Sequence, residues 1–146
     1  MDGLKVCLLG PENIMDIHAL WKEANLTFHP SGRDAVGRMT KELQDPRVFV
    51  AGAFLGEALL GVVLGNDDGR KGWINRLAVR PAYRKHGVAH ALVDFCEKRF
   101  KGRGLGMVCC LIEEGNEPSR SLFLKEDYEE RPDIHYFRKM IGGEDW

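Results

Sequence analysis

Residues 48–65 are eighteen consecutive positions with a single charge, Glu57. A run of that length lies between a membrane span and a buried sheet. Gly52, Gly56, Gly61 and Gly65 interrupt it, Val48, Val50, Val62 and Val63 are β-branched, and Leu55-Gly56-Glu57 forms a turn-like centre. Those signals favour a buried hairpin, with strands over residues 47–54 and 57–64. The polar turn Asn66-Asp67-Asp68-Gly69 then leads into a third strand over residues 73–79, and three successive strands make an antiparallel meander.

The flanking segments supply helices. Lys5 to Leu9 is a short apolar strand, and Ile14, Ile17, Leu20, Trp21 and Ala24 recur at helical spacing after Pro11-Glu12. The loop His29-Pro30-Ser31-Gly32 precedes a weaker helix over residues 34–43. From Gly87, the positions Val88, Ala91, Leu92, Phe95 and Cys96 mark one helix face, and Gly102 stops that helix. Met107 to Ile112 is a wholly apolar run that suits a buried parallel strand, and Pro118 to Lys125 is helical. Tyr128 with residues 134–140 is expected to close the sheet with one or two strands around the turn Arg131-Pro132-Asp133.

The plan is a mixed α/β (α+β) fold in one domain over residues 1–146. Its central sheet is mostly antiparallel, carries one parallel βαβ crossover, and is flanked by helices. A chain of 146 residues with 44% hydrophobic side chains supports one such core.

Charge narrows the ligand classes. Lys and Arg number 21 against 22 Asp and Glu, so long-range attraction to nucleic acid lacks its usual driving force and no nucleic-acid partner is expected. Cys7, Cys96, Cys109 and Cys110 have neither zinc-type spacing nor a disulfide framework and read as reduced thiols. The N-terminus has only Val6 to Leu9 as an apolar run, which makes the cytoplasm the expected location, with no membrane partner.

One junction carries chemistry. Between Val79 and Val88 the chain leaves a strand, passes Arg80-Pro81-Ala82-Tyr83-Arg84-Lys85-His86, and enters a helix at Gly87. The first turn of a helix offers unpaired N–H groups and the positive end of the macrodipole. Gly87 removes the Cβ that would keep a ligand off the backbone, and Arg84 and Lys85 add cations. A phosphate or pyrophosphate suits such a site, although neither a Walker loop nor a dinucleotide fingerprint is present.

The stretch Leu77-Ala78-Val79-Arg80-Pro81-Ala82-Tyr83-Arg84-Lys85-His86-Gly87-Val88-Ala89 resembles the pyrophosphate loop of the GNAT superfamily of N-acetyltransferases, matching at Arg84, Gly87 and Ala89. Asn116 followed by Ser121-Leu122-Phe123-Leu124-Lys125-Glu126-Asp127-Tyr128 is similar to that family's downstream segment. The resemblance implies a V-shaped splay between the strand ending at Val79 and that of residues 107–112, with acetyl-CoA bound there and no metal. It implies that Leu77 and Val79 pair with pantetheine, that Arg84, Lys85, His86, Gly87, Val88 and Ala89 surround the pyrophosphate, and that Asn116 contacts the arm. It further places Phe123 near the sulfur and the Val79 amide at the acetyl carbonyl, with acetyl passing directly to a primary amine of a small molecule or peptide.

Two positions depart from the family. Asn75 stands where a carboxylate base is common; it orients a water at best, since an amide takes no proton at neutral pH. Phe123 replaces a frequent Tyr acid, and Asp127 stands where Gly is frequent. A non-catalytic acyl-CoA-binding or regulatory module is therefore the alternative. Phe28 and His29, in the loop after the first helix, are candidates for acceptor contact, whereas Trp21 belongs to the core. His86, His90 and Asp94 are four apart, but His86 precedes the helix and no metal site is expected; Cys109 and Cys110 point to opposite strand faces and read as small hydrophobes. Association as a homodimer is left open.

Overall fold

A computed structural model of the chain describes residues 1–143 and 146. Five strands, β1 (Leu4–Leu9), β2 (Val48–Leu55), β3 (Ala58–Asp67), β4 (Gly72–Val79) and β5 (Val108–Cys110), lie side by side in chain order. β1 to β4 are antiparallel and β5 runs parallel to β4. The helices are α1 (Ile14–Glu23), α2 (Val36–Glu42), α3 (Val88–Gly102) and α4 (Glu117–Lys125). The weakly charged run of residues 48–65 is the β2–β3 hairpin; Leu55 faces Ala58 across a two-residue loop in which Gly56 takes φ +60°. No helix among the described residues is long and apolar enough to cross a membrane.

Alternation along the strands builds two cores. Phe49, Ala51, Ala53 and Val63 pack with Leu92, Val93, Cys96 and Phe100 of α3 and with Phe123 of α4. Val50, Val62 and Ala78 face the other way, onto Ile14, Ile17, Leu20 and Trp21 of α1 and Met39 of α2. Each fully buried Val, Leu, Ile or Phe among them contributes roughly 1.5–3 kcal/mol. Phe100 needs a slot: a Cβ on Gly72 would stand 2.4 Å from its ring and one on Gly65 3.3 Å. At the same end, the buried Asp67 accepts from Arg103 Nε at 2.7 Å and from the Gly69 amide at 2.9 Å, tying the end of β3 to the end of α3.

Two expectations are corrected. The strand foreseen over residues 107–112 is only Val108–Cys110, and among the described residues no closing strand forms after α4. Tyr128 instead folds back on α3 and donates to Glu97 at 2.7 Å, while Ile134, Tyr136, Phe137 and Met140 are exposed. A three-residue β5 offers a short ladder, and Glu129-Glu130-Arg131-Pro132 supplies charge and a residue without an N–H where a strand would have to begin.

Candidate active site

β4 and β5 pair at Gly72 with Val108, Trp73 with Cys109 and Ile74 with Cys110, and then part. The cause is on the other edge of β4. Leu64 of β3 faces Arg76 and Gly65 faces Ile74, so Asn75 is an extra residue, a β-bulge that bends β4 away from β5. Asn75 Nδ2 donates to Asn66 Oδ1, which holds the bulge. Beyond it, β4 has a free edge. Arg80 N–H donates to Leu60 O at 2.8 Å on the β3 side, so by strand alternation the amides of Leu77 and Val79 face the opening.

The chain then turns through Pro81–Tyr83 into α3. Lys85 has φ +65° and Gly87 φ +83°, left-handed conformations that roll the backbone so that successive amides point outward. No side chain caps α3, and the amides of Gly87, Val88, Ala89 and His90 have no acceptor among the described residues. A Cβ on Gly87 would meet nothing within 4 Å. The Arg84 guanidinium is turned back, donating to Val79 O at 3.4 Å and Ala24 O at 3.3 Å, so at this loop its cation serves chiefly to clamp the end of β4 to the end of α1. Lys85 and His86 are exposed. His90 Nδ1 lies 2.5 Å from Glu126 Oε1, and that carboxylate raises the imidazole pKa. Among the described residues no three His, Cys, Asp or Glu side chains gather as metal ligands.

The splay opens into a cavity of about 390 Å³. Asn75, Arg76 and Leu77 of β4 line one wall, Cys110 and Glu113 the facing wall, and Asn116 and Phe123 the floor toward α4. Asn116 Oδ1 caps α4, accepting from Ser119 N at 3.3 Å. Phe123 is buried and meets Tyr128 edge to face at 5.0 Å. The Tyr128 hydroxyl, donated to Glu97, is pushed above the usual phenol range by burial first and that carboxylate second, so it holds its proton. Burial pushes the Cys110 thiol up to about 11, which leaves almost no thiolate at neutral pH.

The loop between α1 and α2 forms the outer wall, though not through the residues expected. Phe28 packs on His18 and Trp21 at ring distances of 5.1 and 5.6 Å, and the His29 amide donates to Asp34 Oδ2 at 2.7 Å. The loop residues at the cavity are Asn25, Leu26, Thr27 and Arg33. Arg33 is a cation in a half of the chain where acidic residues outnumber basic ones, and that was its only trace in the sequence.

The features fit a CoA thioester: free amides at a helix start for a diphosphate, an open strand edge for an amide-bearing arm, and a cavity where the arm ends. They define an acyl-CoA-using transferase. The model of the acetyltransferase (GNAT) family matches residues 14–128, and the chain belongs to that family. An acetyltransferase of Yersinia enterocolitica is 28% identical over 131 residues, covering 90% of this chain and 92% of its own. One of Photorhabdus laumondii is 27% identical over 128 residues, 88% of each chain. Among solved structures, AAC(6')-Iy with a CoA-based bisubstrate analogue superposes at TM-score 0.79 with 16% identity, over 94% of this chain and 98% of that one. The PaiA N-acetyltransferase of Thermoplasma acidophilum, in complex with coenzyme A, does so at 0.75 with 16% identity, over 84% and 87%. The protein is an acetyl-CoA-dependent acetyltransferase.

Proposed function

We propose that the chain transfers acetyl from acetyl-CoA to a primary amine of a small molecule or peptide by direct attack, without an acyl-enzyme. The supporting observation is the set of unpartnered amides from Gly87 to His90 beside the free edge of β4. When bound, acetyl-CoA supplies an activated acyl group on a good leaving thiol.

In this reading the amides of residues 85–90 hold the diphosphate, with Lys85 and His86 as rim cations. Leu77 and Val79 pair with the pantetheine amides, and Asn116 offers its Nδ2 to the arm. The Val79 N–H, fixed in a strand, receives the charge that develops on the carbonyl oxygen as the amine attacks; such a preorganised donor is worth several kcal/mol, about 2.7–4 in measured cases. Asn75 orients a water that takes the amine proton, with its Nδ2 already committed to Asn66. Phe123 packs near the sulfur and donates no proton, so the thiol leaves as thiolate. Cys110 is protonated and has no partner base among the described residues, which supports direct transfer.

Calorimetry with CoA and thiol release over a panel of amines test the reading. Saturable binding with amine-dependent release is expected. Binding without release from any amine overturns transfer to an amine; no binding at all overturns the placement of CoA as well.

A further inference from the structure

The cavity is lined by a guanidinium with one unpartnered nitrogen among the described residues. Arg33 Nε is buried with no hydrogen-bond partner, and no carboxylate among the described residues lies within ion-pair distance of Arg33. Its neighbour in the wall, Arg76, is in a different state. Arg76 Nη1 lies 2.9 Å from Asp34 Oδ2 and its guanidinium sits 4.8 Å from the Trp21 ring, so its charge is already answered inside the protein. Among the described residues the single acidic side chain lining the cavity, Glu113, is exposed on the opposite wall.

Arg33 is half-buried overall, and an unmade hydrogen bond at its buried Nε costs free energy unless a ligand makes it. A guanidinium takes a planar carboxylate or a phosphate through two parallel bonds, and Arg33 lines the cavity with no internal counter-charge among the described residues. The same wall argues against polycations, which require carboxylates where this cavity presents Arg33 and Arg76.

We propose that the acceptor is an anionic amine, a molecule carrying a carboxylate or phosphate near the amino group, and that Arg33 is the specificity-determining residue that binds this oxyanion. The inference rests on the transfer reading above and deepens it. Arg33 fixes the anionic end on the α1–α2 loop, and the amino group extends toward the Asn75 bulge and the Val79 amide. No covalent bond forms to Arg33.

The test compares matched amines in a thiol-release assay with acetyl-CoA. One arm pairs free amino acids with their carboxamides, a second pairs phosphoethanolamine with ethanolamine, and an aminoglycoside serves as the polycation. Wild type is expected to prefer one anionic series by about 10- to 100-fold in kcat/KM, the size of a charge-assisted pair. The arm that shows the preference identifies carboxylate or phosphate. Arg33→Gln is expected to bring that ratio near one, Arg33→Lys to restore part of it, and both to leave CoA affinity unchanged. Equal rates for anionic and neutral partners, preference for the polycation, or a ratio unchanged in Arg33→Gln would overturn the proposal. Calorimetry of N-acetylglycine and of inorganic phosphate with the CoA-bound protein separates the two failures. If no amine reacts yet one probe binds and Arg33→Gln abolishes it, the anion site stands and the transfer reading falls; if neither probe binds and no amine reacts, the anion site falls as well.

Discussion

Asp34 Oδ2 lies 2.9 Å from Arg76 Nη1 and also accepts the His29 amide at 2.7 Å. One carboxylate therefore joins the α1–α2 loop to β4 at the residue after the Asn75 bulge. Both side chains are largely buried, at 12% and 6% exposure, and the approach is one of charges rather than an aligned hydrogen bond. Burial lowers the pKa of Arg76, and Asp34 opposes that shift. Asp34→Ala strands a buried cation and is expected to cost about 3 kcal/mol in urea unfolding. The double variant Asp34→Ala/Arg76→Met should recover much of it. A double variant no more stable than Asp34→Ala would mean that the His29 tether, not the ion pair, is the stabilising contact.

Gly87→Val probes the loop. The new side chain meets no protein atom within 4 Å, so the cost to the fold is the left-handed backbone strain at φ +83°, about 1–2 kcal/mol. Its branch projects over the free amides, and CoA affinity is expected to fall at least about tenfold by charge-assisted bonds lost. Unchanged affinity by calorimetry would refute the placement of the diphosphate.

Phe123→Tyr adds a hydroxyl at the cavity floor, beside Tyr128. CoA affinity is expected to change little while thiol release rises, by up to about 100-fold if the hydroxyl reaches the leaving sulfur. A large loss of CoA binding would show that the ring edge packs on the arm with no room for an oxygen.

Gly72→Ala tests the sheet end. The added methyl falls 2.4 Å from the fully buried Phe100 ring, itself edge to face with Phe49 at 5.5 Å. Overpacking of this kind costs typically 1–3 kcal/mol, read as a lower melting temperature. Adding Phe100→Leu should relieve part of the loss.

Acid sensitivity follows from Asp67. Its hydrogen bond from Arg103, then that of the Gly69 amide, hold the buried carboxyl below its usual pKa of 3.8. A depressed folded pKa stabilises the protein fully above the unfolded value, and that contribution is lost as pH falls below about 4 toward the folded value. Asp67→Asn is expected to be less stable than wild type at pH 7 by about 1–2 kcal/mol and to show a flatter stability curve on the acid side. Parallel curves from pH 7 to pH 3 would exclude Asp67 as the titrating group.

Local features were legible in the chain itself. The β2–β3 hairpin follows from β-branched residues around Gly56, and α3 from its apolar stripe. The uncapped start of α3 could be read because strand, Pro81, Gly87 and helix are contiguous, so its amides are placed by short-range backbone geometry. The closing strands foreseen over residues 134–140 failed for the complementary reason: alternation makes a segment competent to pair, but a strand exists only where an edge is long enough to receive it, and β5 has three residues.

The acceptor side depended on contacts between distant residues. Asn75 became a bulge through its register against β3, Arg76 was neutralised by Asp34 from another element, and Phe28 turned into the α1 core while Arg33 turned to the cavity. Sequence alone determined the β2–β4 meander, the crossover helix and the open loop before it, because period and turn chemistry act between neighbours in the chain. Which side chains line the cavity was decided only by tertiary packing, since burial and charge compensation are properties of what lies opposite in space.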